Sequence, residues 1–189
     1  DDFNDNTKTG WTDFTFIPGY GLPVESGGQF RFDLAPVGQD IFTASQKVSD
    51  PIELAEGRTV ELRVDVTESS GANAFAMLGF VPASESPGTM AGYALAKDPT
   101  TVLLTKGIQK YLVEDSGPGA SIPNQNVTLS LTLAVQGGNV QITGRILDHA
   151  NNNAVVWEQT VVDTPAADPL AAGLDSPAAP YITTGYFTL

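Results

Sequence analysis

Apolar and polar side chains alternate strictly along the stretch VELRVDVT at residues 60–67. Valine or leucine occupies every even position from 60 to 66, and charged or polar residues occupy the odd positions. A period of two places successive side chains on opposite faces of a β-strand. The pattern therefore predicts a strand with one face in a core and an open face that carries Glu61, Arg63 and Asp65.

A second alternation predicts a long β-hairpin. Apolar residues stand at the odd positions from 127 to 135, with threonine or serine between them as far as 132. Gly137 and Gly138 allow the positive φ of a tight hairpin turn. The return strand directs the even positions from 140 to 146 inward, and a β-branched run at 154–162 follows the polar turn DHANNN. These segments predict three consecutive antiparallel strands, with Trp157 in the core.

Shorter runs predict further strands at 12–17, 29–34, 42–48, 74–81, 92–97, 101–106, 110–114 and 181–189. No segment has a convincing helical pattern. Nineteen glycines and 13 prolines in 189 residues favour many short strands joined by turns. We therefore expect a single all-β domain over residues 1–189, folded as a two-sheet antiparallel jelly-roll sandwich.

The opening DDFNDN, followed by Gly10 and Trp11, precedes a glycine-led stretch GQFRF at 28–32. This arrangement resembles the concanavalin A-like, laminin-G-like jelly rolls of secreted bacterial proteins, which continue with a long strand such as 58–68 and a late hairpin such as 127–147. The resemblance covers the whole chain. It implies a module that is extracellular or on the cell surface, and bacterial.

Such domains usually close with one more strand after a segment like TGYF at 184–187, whereas this sequence stops at Leu189. A missing strand would leave unpaired N–H and C=O groups at a sheet edge. We therefore expect residues 181–189 and 1–6 to pair with a further strand or with a neighbouring molecule.

The net negative charge of the chain excludes several classes of binding partner. Nine basic and 22 acidic residues give a net charge of −13, which repels phosphate backbones, anionic lipids and polyuronates. No apolar run approaches the roughly 18 residues of a membrane helix. We expect neither nucleic-acid binding nor membrane insertion. The absence of cysteine excludes disulfides, thiolate metal sites and cysteine nucleophiles.

In the β-glucanases that this fold resembles, a strand with alternating carboxylates supplies the nucleophile and the general acid. Retaining hydrolysis needs the two carboxyl groups about 5 Å apart. Glu61 and Asp65 are four residues apart, about 13 Å along a strand, and Arg63 lies between them. A solvated charged face or a ligand contact is the better interpretation, and we expect no catalysis. His149, the sole histidine, lies in the polar turn and we expect it to be exposed.

A structural calcium site is a second possibility. Acidic and amide side chains cluster at the start of the chain, but Thr7 occupies the position where an EF-hand loop needs glycine. Asp1, Asp2 and Asp5 could still bind calcium in another geometry together with backbone carbonyls.

Sugar binding favours an exposed aromatic ring beside hydrogen-bonding side chains. The large amphipathic rings belong to Trp11, Tyr20, Tyr93, Tyr111 and Trp157. Tyr20, in the turn PGYG, is the best candidate for an exposed ring.

Three functions fit these features. The first is a non-catalytic carbohydrate-binding or adhesion module, with a glycan as its partner. The second is a structural or assembly module of a surface layer, filament or matrix, whose partners are other copies of itself or surface proteins. The third is a glycan-active enzyme. We favour the first, with Tyr20, Glu61, Arg63 and Asp65 as ligand-binding residues.

Overall fold

The computed structural model describes residues 7–15, 22–32, 43–67, 76–84, 91–98, 100–107, 111–116, 126–165 and 179–189. These residues form β-strands and one short 3₁₀ helix, His149–Asn151. The strands are β1 Trp11–Thr15, β2 Val24–Ser26, β3 Gln29–Arg31, β4 Thr43–Lys47, β5 Ile52–Glu53, β6 Thr59–Val66, β7 Ala76–Pro82, β8 Tyr93–Lys97, β9 Val102–Lys106, β10 Tyr111–Asp115, β11 Val127–Gln136, β12 Asn139–Asp148, β13 Ala154–Asp163 and β14 Thr184–Thr188.

The strands form two main antiparallel sheets. The larger sheet has the order β1-β4-β14-β7-β8-β9-β10, with β5 also paired to β14, and the smaller has the order β13-β12-β11-β6. Strands β2 and β3 form a separate hairpin, and Phe30 of β3 stacks on Trp11 of the larger sheet. The prediction of an all-β, two-sheet antiparallel jelly-roll sandwich is confirmed.

The core lies between the two sheets, where the period-two patterns placed it. All five apolar side chains at the odd positions of β11 are buried, and Trp157 is buried as predicted. Gly144 faces the same core from β12, and a Cβ there would lie 2.7 Å from Leu104 and 3.0 Å from Trp157. The absence of a side chain at this inward position therefore lets the opposite sheet pack closely against β12.

The hairpin turn between β11 and β12 has the predicted geometry, with φ of 60° at Gly137 and 74° at Gly138. The carboxylate of Glu56 accepts hydrogen bonds from both glycine N–H groups, at 2.7 and 3.1 Å. These bonds hold the pKa of Glu56 below its ordinary value. The turn before β6 is thus joined to the hairpin tip by a charged side chain.

The expectation of an open edge at residues 181–189 is wrong. Strand β14 lies inside the larger sheet, paired with β7 on one side and with β4 and β5 on the other. Leu189 and Ser45 also exchange backbone hydrogen bonds of 2.8 and 2.9 Å. The final strand therefore completes the sheet instead of exposing it. Residues 1–6, the other half of that expectation, lie outside the described residues.

A polar cluster is buried between the sheets, which we call the buried ion-pair cluster: Tyr93 of β8, Lys106 of β9 and Asp163 of β13. Lys106 Nζ lies 2.7 Å from Asp163 Oδ2, and the two side chains are 0% and 2% exposed. The Tyr93 hydroxyl donates to the same oxygen at 2.6 Å. Burial, and then the hydrogen bond to Asp163, raise the pKa of Tyr93 far above its ordinary value, so its phenol stays protonated.

Candidate functional site

The open face of the smaller sheet carries a row of short hydroxyl side chains between long charged ones. Thr128, Ser130 and Thr132 of β11 form the row, and they lie directly opposite Asp65, Arg63 and Glu61 of β6. On the other side of the row, Ser130 lies opposite Arg145 of β12. We call this arrangement the hydroxyl trough, with β11 as its floor and β6 and Arg145 as its rims.

Two of the three floor residues of the hydroxyl trough are almost inaccessible although they face the open side of the sheet, and Thr132 is partly buried. Thr128 is 4% and Ser130 1% exposed. The Thr128 hydroxyl donates to Asp65 Oδ1 at 2.5 Å, and the Ser130 hydroxyl donates to Glu61 Oε1 at 2.8 Å. The Thr128 and Ser130 hydroxyl protons are thus directed to the β6 rim, and these bonds hold the rim carboxylates in place over the floor.

The two arginines of the trough each contact a neighbouring carboxylate through Nε only. Arg63 Nε lies 3.9 Å from Glu61 Oε1, and Arg145 Nε donates to Glu158 of β13. The terminal nitrogens of both guanidinium groups make no hydrogen bond to the described residues, and both side chains are about half exposed. The two terminal nitrogens of each arginine together carry four N–H donors that can bind a ligand.

His149 closes one end of the trough, which the sequence did not predict. Its turn is fixed because Asp148, at the N-terminus of the short 3₁₀ helix, accepts a hydrogen bond from the Ala150 N–H. His149 Nε2 then lies 2.8 Å from Thr128 Oγ1 and 3.6 Å from Asp65 Oδ1. Since the Thr128 proton goes to Asp65, Thr128 accepts from an Nε2–H. The sequence predicted an exposed histidine, and the structure shows a partly buried one, with a side chain that is 32% exposed.

The Asp65–Thr128–His149 arrangement differs from a nucleophilic triad. In a triad the hydroxyl donates to one imidazole nitrogen and the carboxylate binds the other. Here the hydroxyl donates to the carboxylate, and Asp65 and Thr128 both lie beside the same ring nitrogen. Glu61 and Asp65, four residues apart on one strand, are too widely spaced for retaining glycoside hydrolysis. The geometry favours hydrogen bonding to a ligand.

The structure does not describe all of the predicted site residues. Tyr20, Asp1, Asp2 and Asp5 lie outside the described residues. Within the described ranges, no group of three or more acidic or histidine side chains could hold a metal ion. Tyr93 lies in the core, whereas Tyr111, on the edge strand β10 of the larger sheet, is 53% exposed.

The chain is similar to arcelin-5, a lectin-like defense protein from Phaseolus vulgaris, with 11% sequence identity and a TM-score of 0.47 over 95% of this chain and 89% of that chain. No protein-family model and no curated protein sequence matches the chain. Among the described residues, no helix has the length and apolar character to cross a membrane.

Proposed function

We propose that this chain is a non-catalytic carbohydrate-binding module, extracellular and used for adhesion to glycans, and that its ligand lies in the hydroxyl trough. The observation that carries the proposal is the nearly buried hydroxyl floor between charged rims. The rims offer arginine N–H donors and carboxylate acceptors, and the Thr128 and Ser130 hydroxyl groups of the floor hold those carboxylates in place. Sugar hydroxyl groups, which donate and accept at the same atom, match that mixture.

The trough is preorganised for a ligand with many hydroxyl groups. Asp65, Glu61 and Arg145 are each already held by a neighbour, so little side-chain freedom is lost on binding. The charges on this face nearly cancel, because Glu61, Asp65 and Glu158 are set against Arg63 and Arg145. A nearly balanced face favours a neutral glycan over a strongly charged one.

The length of the trough suits an extended ligand. From Thr128 to Thr132 the floor runs about 13 Å along the strand. Asp65 and His149 lie at one end and Glu61 at the other. A glycan segment that lies along β11 would contact both rims.

A glycan array followed by calorimetric titration tests the proposal. We expect Asp65→Ala and Arg63→Ala to fold normally, because both side chains are exposed on an open face. Each should lose about 10- to 100-fold in affinity, the usual value of a hydrogen bond to a charged group. Thr160→Ala, on the same face of β13 but outside the trough, is the matched control and should bind as the original chain does.

Two results would contradict the proposal. The first is a folded protein that binds no glycan on a broad array. The second is a bound glycan whose affinity is the same for the original chain and for both trough variants.

A further inference from the structure

Lys106 and Asp163 are an unusual pair among the ion pairs of the described residues, because both are fully withdrawn from solvent and lie in opposite sheets. Two other groups complete their surroundings. Lys106 Nζ donates to the backbone oxygen of Ala179 at 3.0 Å, and the Tyr93 hydroxyl donates to Asp163 Oδ2. The Tyr93 oxygen in turn accepts the Tyr181 N–H at 2.9 Å.

The geometry points to an intramolecular amide bond between Lys106 Nζ and the side-chain carbonyl carbon of Asp163. An amide nitrogen has one N–H, and Ala179 O is positioned to accept it. An amide oxygen needs a donor, and the Tyr93 hydroxyl is positioned to supply it. An ammonium group has three N–H donors but finds only two oxygen acceptors among the described residues, with the ring of Tyr181 5.8 Å away.

The reaction balances within the cluster. Burial disfavours two full charges, so transfer of one proton from the ammonium to the carboxylate yields a neutral amine and a neutral acid. The nitrogen lone pair attacks the carboxyl carbon, and the N–C bond forms. The Tyr93 hydroxyl stabilises the negative charge that develops on the carboxyl oxygen. Oδ2 stays as the amide oxygen that Tyr93 contacts, and the bond from the carboxyl carbon to Oδ1 breaks. Oδ1 leaves as one molecule of water, with the proton that the ammonium gave to the carboxylate and a second proton from the nitrogen.

The product would join β9 of the larger sheet to β13 of the smaller one by a covalent bond. It would also fix the chain on both sides of residues 164–178, because Asp163 precedes that segment and Ala179 follows it. A chain without cysteine has no disulfide to do this. The bond therefore offers a cysteine-free cross-link within the sandwich.

Intact mass spectrometry of the denatured protein tests this inference. We expect a mass below that calculated from the sequence by one water molecule, and a proteolytic digest in which the Lys106 and Asp163 peptides are joined. Lys106→Arg should restore the full calculated mass. Tyr93→Phe should retain the pair and lower the cross-linked fraction. Lys8→Arg, which alters a different lysine–aspartate pair with Asp13, should leave the deficit unchanged.

The full calculated mass in the folded original chain after long incubation would overturn the inference. A deficit that maps to any other pair of peptides would overturn it as well. Both the intact mass and the peptide map are measured on the original chain, so neither result depends on whether a variant folds.

Discussion

The hydroxyl trough and the buried ion-pair cluster contain the same kinds of groups in opposite surroundings. Each combines carboxylates, cations and hydroxyl groups joined by short hydrogen bonds. In the cluster, Lys106 and Asp163 are enclosed by both sheets. In the trough, Arg63, Asp65 and Arg145 keep much of their surface exposed, and Asp65 is 76% exposed.

Because the cluster is buried and the trough is exposed, we expect the two regions to have different roles. A buried charge must keep its partner, since removal of one partner leaves the other without solvent or compensation. An exposed charge can exchange water for a ligand at little cost to the fold. The cluster is therefore expected to matter for stability and the trough for recognition, although their residue types hardly differ.

The largest effect should follow the loss of one partner in the cluster. Asp163→Ala removes both the carboxylate and the inferred amide bond and leaves the Lys106 ammonium buried without an anionic partner, so we expect unfolding to become easier by at least about 3 kcal/mol. Glu158→Ala removes the partner of Arg145 on the exposed face and should cost less than about 1 kcal/mol. Urea unfolding of the two variants measures both values. An equal loss of unfolding free energy in the two variants would show that burial does not make the cluster more important for stability than the trough.

Neighbouring residues on β6 provide a second contrast. Leu62 is buried in the core and Arg63 points to the open face. Leu62→Ala should cost about 2–5 kcal/mol from lost burial and the cavity left behind. Arg63→Ala should cost under about 1 kcal/mol. Thermal or urea unfolding that ranked Arg63→Ala as the more damaging change would reverse the assignment of the two faces.

An intermediate effect is expected at the floor of the trough. Thr128→Val keeps the shape of the side chain but removes the hydroxyl that joins Asp65 to His149. We expect a stability loss of about 1 kcal/mol, the usual value of a hydrogen bond, together with weaker glycan binding. The measurements are urea unfolding and calorimetric titration of the same preparation. Unchanged binding would remove Thr128 from the site.

The smallest effect should depend on pH. The two glycine N–H groups lower the pKa of Glu56 in the folded state. Its contribution to stability is therefore fully present above the unfolded-state pKa, about 4.3, and is lost as the pH falls through the folded-state pKa. Glu56→Gln should be less stable than the original chain at pH 7, and the difference should shrink toward pH 3.

Glu114→Gln is the control for this measurement, because the Glu114 carboxylate makes no hydrogen bond to the described residues. Its stability difference from the original chain should be small and should not follow the Glu56 pattern. A Glu56 difference that stayed constant or grew on acidification would contradict the role of the hairpin glycines.

The sequence predicted the strands and their faces well, because a period of two is a local signal. Positions 60–67 and 127–146 form β6, β11 and β12, and the side chains predicted to face inward on β11 are buried. The expected core position of Trp157 is confirmed for the same reason. Alternation within a few residues is enough to assign a face.

The long-range arrangement could not be predicted in this way. The burial of Thr128 and Ser130 depends on long side chains of the neighbouring strands, and the place of His149 depends on the register of β11. Lysine at the end of an apolar strand ordinarily reaches solvent, so nothing local indicates that Lys106 meets Asp163 across the sandwich. The central position of β14 likewise depends on pairing with β4, far away in the sequence.

The most direct test of the central claim is to map the bound glycan on the protein by NMR. Backbone amide shifts of the labelled chain, titrated with the strongest array ligand, should change along β6 and β11 around Glu61–Asp65 and Thr128–Thr132, and at Arg145 and His149. Amides of β8 and β9 in the larger sheet should stay unchanged. Shift changes confined to the larger sheet, with none along the hydroxyl trough, would contradict the account.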